Sequence, residues 1–428
     1  MYSFHRHTLK NKLELLTIPM PQVESATVMV MVGAGSRYES KKINGLAHFL
    51  EHMAFKGSKK RPSSLLISST IDAIGGEFNA FTGKDHTGFY VKARSEHIPL
   101  VVDVLSDMIL NPLLKEEEIE REKGVIIEEI HMYEDTPMRH IGDVYEGLLY
   151  GDTPLGWDTA GKPEIIRAIA RKDFVTYMDG LYRPNNAVMV IAGQVGSSQS
   201  AVRSLIDKSL QGWKKDKLWQ WKKQSDKQDQ PQVKVKYKNT EQAHLALGVR
   251  AYNLSDPRRF ALSVLTTIMG GGMSSRLFIE VRERRGLAYY VHANAEQYLD
   301  VGNFVTQAGV DVARIDEAIR VILDQYWGIA NGNYLISSEE LTKAKEYLKG
   351  RLTLELEDSR SVAGFYATQE ILKRQILTPD EVIAKTEAVT KDEVVAVARE
   401  IFVEKHLNLA VIGPYKEEVR FRKLLESV

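Results

Sequence analysis

A chain of 428 residues that is 43% hydrophobic can bury the cores of two or more domains. Lys+Arg and Asp+Glu both number 57, so the formal net charge is zero, which argues against a nucleic-acid partner. Cysteine is absent, which excludes disulfides and thiolate zinc sites and leaves histidine and carboxylates as the strong metal ligands.

Met1 to Met20 mix His, Arg, Lys and Glu into the apolar positions, and no later window reaches about 18 apolar residues. Neither a secretory signal nor a membrane span is expected, and the default compartment is the cytoplasm. Leu13 to Pro19 and Ala26 to Val32 read as strands, and a loop Gly33 to Glu39 follows. The run Asn44 to Phe55 holds no proline and no β-branched cluster, so a helix is predicted.

At about 100° per residue, Leu46, Phe49, Leu50, Met53 and Ala54 share one side of that helix, and His48, Glu51, His52 and Phe55 the other. Two imidazoles four residues apart point the same way, as two ligands of one metal ion must. Glu51 lies roughly 60° from His48 on the same face, within reach of a water at the metal. His48-Phe49-Leu50-Glu51-His52 is the inverted H-x-x-E-H pattern of a metal hydrolase.

Pro62 opens a second predicted helix, running to about Ile74 and stopped by Gly75-Gly76. Glu77 to Thr82 and Thr87 to Ala93 flank a Gly83-Lys84-Asp85 turn, which is a hairpin signal. Its first arm, if it lies at a sheet edge, could pair with an extended peptide, although the pattern alone favours an ordinary covered edge strand. Helical patterns run from His97 to Leu110 and from Lys115 to about Tyr133. In the second of these, Glu118, Glu122 and Glu129 fall within about 40° of one direction, beside Val125 and Ile126. This inward acidic row is where a third metal ligand could arise.

Another helical pattern, Glu164 to Met178, leads to a buried-type strand, Asn186 to Gly193. Lys214 to Gln232 is polar and without periodicity, an inter-domain linker. The second half then repeats the first. Ala243–Val249 mirrors Ala26–Val32, and Glu381 to Gly413 mirrors Glu164 to Gly193. This is a duplication of about 200 residues rather than a solenoid. The expected fold is α+β: two homologous domains, each a mostly antiparallel sheet packed with helices. Their boundaries are 1–213 and 233–428, with the linker at 214–232. The second copy lacks H-x-x-E-H and carries Gly270-Gly271-Gly272, then a helix Leu277 to Arg285 ended by Gly286, then a strand from Leu287.

With these pieces assembled, the chain resembles the pitrilysin/insulinase family of zinc peptidases, in particular its short bacterial members and the mitochondrial processing peptidase subunits. His48, Glu51 and His52 match the family's metal helix. The resemblance implies Glu129 as third zinc ligand, Glu122 as a glutamate held near the site, and Asn79-Ala80-Phe81 as the centre of a substrate-pairing edge strand. Arg282 and Tyr289 match the second-half pair that contacts the substrate carbonyl. It further implies one zinc ion per chain, half of a clamshell chamber, and endopeptidase action on peptides or on unfolded and leader segments. Glu51 would be the general base. A homodimer is expected, with Arg282 and Tyr289 serving the partner's zinc. A catalytically inactive scaffold of the same fold is the alternative.

Overall fold

The computed structural model describes residues 2–195, 199–225 and 227–426. Eleven strands build two sheets among these residues. The first six are β1 (His5–Thr8), β2 (Glu14–Pro19), β3 (Ser25–Val32), β4 (Glu77–Thr82), β5 (Thr87–Arg94) and β6 (Ala187–Gly193). The other five are β7 (Gln232–Tyr237), β8 (Gln242–Ala251), β9 (Ala288–Gln297), β10 (Gly302–Asp311) and β11 (Leu407–Gly413). The first sheet is ordered β1-β2-β6-β3-β5-β4 and the second β7-β11-β8-β10-β9. Matching β2 to β7, β6 to β11, β3 to β8, β5 to β10 and β4 to β9 superposes the two orders, with β1 as an extra edge. In each sheet one pair is parallel, β2 with β6 and β7 with β11, and the rest are antiparallel. The duplicated α+β architecture expected from the sequence is the one found.

The compact units of the fold are not contiguous in sequence. One compact unit comprises 1–130, 158–222 and 352–380, and the other comprises 131–157, 223–351 and 381–428. Each half therefore lends a segment to the other unit. The physical reason lies in the strands: every residue of β3 after Ser25 is buried, so both faces of the first sheet need cover. One face packs against Leu46, Phe49, Leu50 and Met53 of the helix Leu46–Ala54. The other face, with Met29, Met31, Val188 and Val190, is covered by Val362, Ala363 and Tyr366 of the helix Ser359–Lys373. In the second unit, Ile141 and Tyr145 of the helix Pro137–Tyr150 do the same for Ala246, Ala410 and Ile412.

Among its described residues the linker carries no regular structure up to β7, yet its tryptophans fasten it. Trp219 N–H donates to the Gly180 carbonyl at 3.1 Å, and Trp221 stacks under the Arg37 guanidinium at 4.0 Å. The second predicted helix begins later than Pro62 suggested, at Ser64, because the Ser63 hydroxyl caps it by accepting from Leu66 N–H. The stretch predicted as helix from Leu277 is a π-helical turn, Phe278–Glu283. No helix among the described residues is long and apolar enough to cross a membrane.

Candidate metal centre

The metal helix, Leu46–Ala54, buries its apolar stripe and turns His48, Glu51 and His52 the other way. The acidic helix, Glu116–Glu134, brings its carboxylates to that face. Glu129 Oε2 lies 3.6 Å from His48 Nε2 and 3.4 Å from His52 Nε2. All three ligand atoms fall within 4.8 Å of one another. Two ligands at zinc bond lengths on a tetrahedral ion stand roughly 3.4 Å apart. Two imidazoles and one carboxylate at this spacing fit zinc, which these three residues would hold.

Glu122 does not join the ligand atoms. It is 3% exposed, and its Oε1 accepts from His52 Nδ1 at 2.9 Å while Oε2 meets Lys56 Nζ at 2.5 Å. A carboxylate behind a histidine ligand fixes the ring's tautomer and direction. Glu118, aligned with Glu122 and Glu129 by helical angle, instead pairs with Arg121 at 2.6 Å. Val125, expected beside the row, is 49% exposed, whereas Ile126 is buried.

Glu51 is held from the hairpin: Thr82 Oγ1 donates to Glu51 Oε2 at 2.5 Å. Burial raises the Glu51 pKa, with the Thr82 bond and His52 pulling the other way. A raised carboxyl suits a proton acceptor that must later give the proton up. Without metal, the two histidines diverge. Burial and the neighbouring His52 push His48 down to about 4, against the pull of Glu129. Burial would lower His52 too, but Glu122 and Glu129 outweigh it and push it up to about 9.

A pH effect follows from this pair. Near pH 6, metal-free His52 holds a proton and His48 does not, and a zinc ligand must be deprotonated. Zinc binding should release about one proton, and its apparent affinity should fall about tenfold per unit of acidification. Titration calorimetry in buffers of different ionisation enthalpy measures this. Proton-independent binding would contradict the assignment of His52 Nε2 as ligand.

The strand expected to pair with substrate, β4, is an edge strand, hydrogen-bonded to β5 alone. Asn79 and Phe81 lie on its exposed side. Phe78 and Ala80 turn toward the core below the metal helix, and Asn79 Oδ1 accepts from Ala80 N–H at 2.9 Å. In the second unit, Arg282 and Tyr289 are neighbours, with the guanidinium 5.9 Å from the Tyr289 ring. Tyr289 is 72% exposed at the start of β9. Three contributors escaped the sequence reading: Lys56, Thr82 in its contact with Glu51, and Glu39, taken up below. Lys56 and Thr82 meet their partners across the fold, and Glu39 meets its own around a loop with no helical or strand period, so spacing gave no signal for them.

Two histidines and a carboxylate, with a hydrogen-bonded glutamate beside them, form a group that could hold a metal ion next to the edge strand of the first sheet. The chain belongs to the insulinase family, peptidase family M16: that family's domain matches residues 15–161, and the M16 inactive domain matches residues 168–348. Its curated relatives include proteins named as uncharacterized zinc proteases. One from Streptomyces coelicolor is 36% identical, over 96% of this chain and 90% of its own length. One from Bacillus subtilis is 34% identical, over 96% and 98%. Among solved structures, a protease from Helicobacter pylori superposes with a TM-score of 0.89 at 24% identity, covering 97% of this chain and all of its own. A chain from complex III of Candida albicans superposes at 0.85 with 17% identity, covering 99% of this chain and 100% of its own. Both likenesses are of fold.

Proposed function

We propose that the chain is a zinc-dependent endopeptidase that cleaves peptides, or unfolded and leader segments, enclosed in a chamber. The observation that carries this reading is the meeting of His48 Nε2, His52 Nε2 and Glu129 Oε2 beside Glu51. One zinc per chain would supply Lewis acidity and bring the attacking water within reach of a carboxylate base near neutral pH. Glu51 would take the water's proton on Oε1, since Oε2 is engaged by Thr82, and then deliver it to the departing amine. The open edge of β4, at Asn79, Ala80 and Phe81, would align the substrate as an added strand. The Tyr289 hydroxyl would donate to the oxyanion as it develops, and Arg282 would hold a neighbouring carbonyl. A complete ligand set with a hydrogen-bonded base favours this reading over an inactive scaffold of the same fold. If the reading holds, a chelator should abolish peptide cleavage and stoichiometric zinc should restore it. Undiminished cleavage in the metal-free protein would contradict it.

The second part of the proposal is assembly as a homodimer in which Arg282 and Tyr289 serve the zinc of the partner. Complementation between two inactive proteins, Glu51→Gln and Tyr289→Phe, tests it. Acting in trans, a mixed dimer gathers both defects at one site and leaves the other intact, so subunit exchange should restore up to about half the wild-type activity per mixed dimer. Acting in cis, every site keeps a defect. No rescue, with exchange confirmed by mass, would overturn the trans arrangement.

A further inference from the structure

The metal helix has no cap of its own. Its N-cap is Gly45, with φ +95° and no side chain to receive the orphan N–H groups of the first turn. Those donors turn instead to Glu39, six residues upstream. Glu39 Oε1 accepts from Ala47 N–H at 2.6 Å, and Oε2 accepts from Gly45 N–H at 2.8 Å and Asn44 Nδ2 at 3.1 Å. The carboxylate is only 4% exposed. Ala47 immediately precedes the ligand His48.

The same short segment also grips the hairpin that holds the base. Ser36 N–H donates to the Gly83 carbonyl at 3.2 Å and Arg37 N–H to the Lys84 carbonyl at 3.0 Å. Arg37 Nη1, fully buried, pairs with Asp85 Oδ1 at 3.0 Å. The approach is so close that a Cβ on Gly35 would fall 2.4 Å from the Gly83 and Lys84 carbonyl oxygens. Gly83 directly follows Thr82, the donor to Glu51. Ser36 to Glu39 thus joins the helix that carries His48, Glu51 and His52 to the strand end that orients Glu51.

The geometry points to Glu39 as a positioning residue of the zinc centre: it fixes the first turn of the metal helix against the β4–β5 turn, and so sets where His48 and Glu51 stand. Three N–H donors converge on the two Glu39 oxygens and favour the carboxylate against the burial that raises its pKa, so carboxylate and helix start depend on each other. This inference rests on the zinc-peptidase reading but is measurable without it.

The test is Glu39→Gln in the full chain, beside Asp358→Ala as a structural control. Asp358 also caps a helix with its carboxylate, accepting from Arg360 N–H and Ser361 N–H, but that helix carries no metal ligand. A glutamine offers one acceptor oxygen where three donors converge. Glu39→Gln should weaken zinc binding and lower kcat about tenfold each, with KM within about twofold, and change the visible absorption of the cobalt-substituted protein. Asp358→Ala should lower Tm and leave zinc affinity, cobalt spectrum and kcat unchanged. Should the glutamine variant fold poorly, Glu39→Asp, which keeps the charge but is a methylene short, should show the same split. Wild-type zinc affinity and cobalt spectrum in the folded Glu39 variant would overturn the role. A wild-type protein that binds zinc yet cuts no peptide would count against the peptidase reading alone.

Discussion

Glu51→Gln should keep its zinc and its fold and lose on the order of 10²-fold or more in turnover. The separation is expected because Glu51 lies beside the group that could hold the metal, His48, His52 and Glu129, without belonging to it. An amide keeps the carbonyl oxygen that Thr82 Oγ1 now reaches at 2.5 Å, so the side chain should stay in place. What it loses is the capacity to accept a proton from water. The substitution should appear in kcat, with zinc content and Tm close to wild type. A Glu51→Gln enzyme running at near wild-type rate would hand the role of base to another group.

His48→Ala and His52→Ala should each lose both metal and activity, but with different side effects. Removing either imidazole takes one of three protein ligands from the ion. Only His52 also supports a buried carboxylate, since Glu122 has its two oxygens on His52 Nδ1 and Lys56 Nζ. In the metal-free proteins, His52→Ala should therefore be the less stable, by about 1–3 kcal/mol for a partner lost to a buried charged group. Glu129→Gln should reduce zinc affinity more than Glu122→Gln. Full zinc occupancy in either histidine variant would remove that residue from the ligand set, and the reverse order of the glutamates would exchange their roles.

The metal helix was legible in the sequence because four-residue spacing on a helix fixes direction regardless of the rest of the fold. The acidic row was legible as a direction but not as a ligand. From Glu118 to Glu129 the helix rises about 16 Å, so the whole row cannot meet one ion. Which part does depends on where the metal helix crosses it, a tertiary fact. Glu118 ends on Arg121 instead. The duplication was visible as repeated strands, and the matched strand orders of the two sheets follow from it. The exchange of helices was not visible. An apolar helix face says that something covers it, not which sheet, and Val362 and Tyr366 carry no mark that they belong on Met29 and Val190. Glu39 and Thr82 were missed for a related reason: their partners, Ala47 N–H and Glu51, are met only once loop, helix and hairpin are folded together.

Under the proposed function, His48, His52 and Glu129 hold a zinc ion beside which Glu51 activates water to cut peptide bonds. Mass-spectrometric cleavage mapping on an unstructured peptide library, with zinc-loaded wild type and zinc-loaded Glu51→Gln side by side, tests it most directly. Cuts at internal peptide bonds are expected from the wild type, and their loss in Glu51→Gln at equal zinc content. A zinc-loaded, folded wild type that leaves every peptide intact, or a Glu51→Gln protein that yields the same cuts at the same rate, would contradict it.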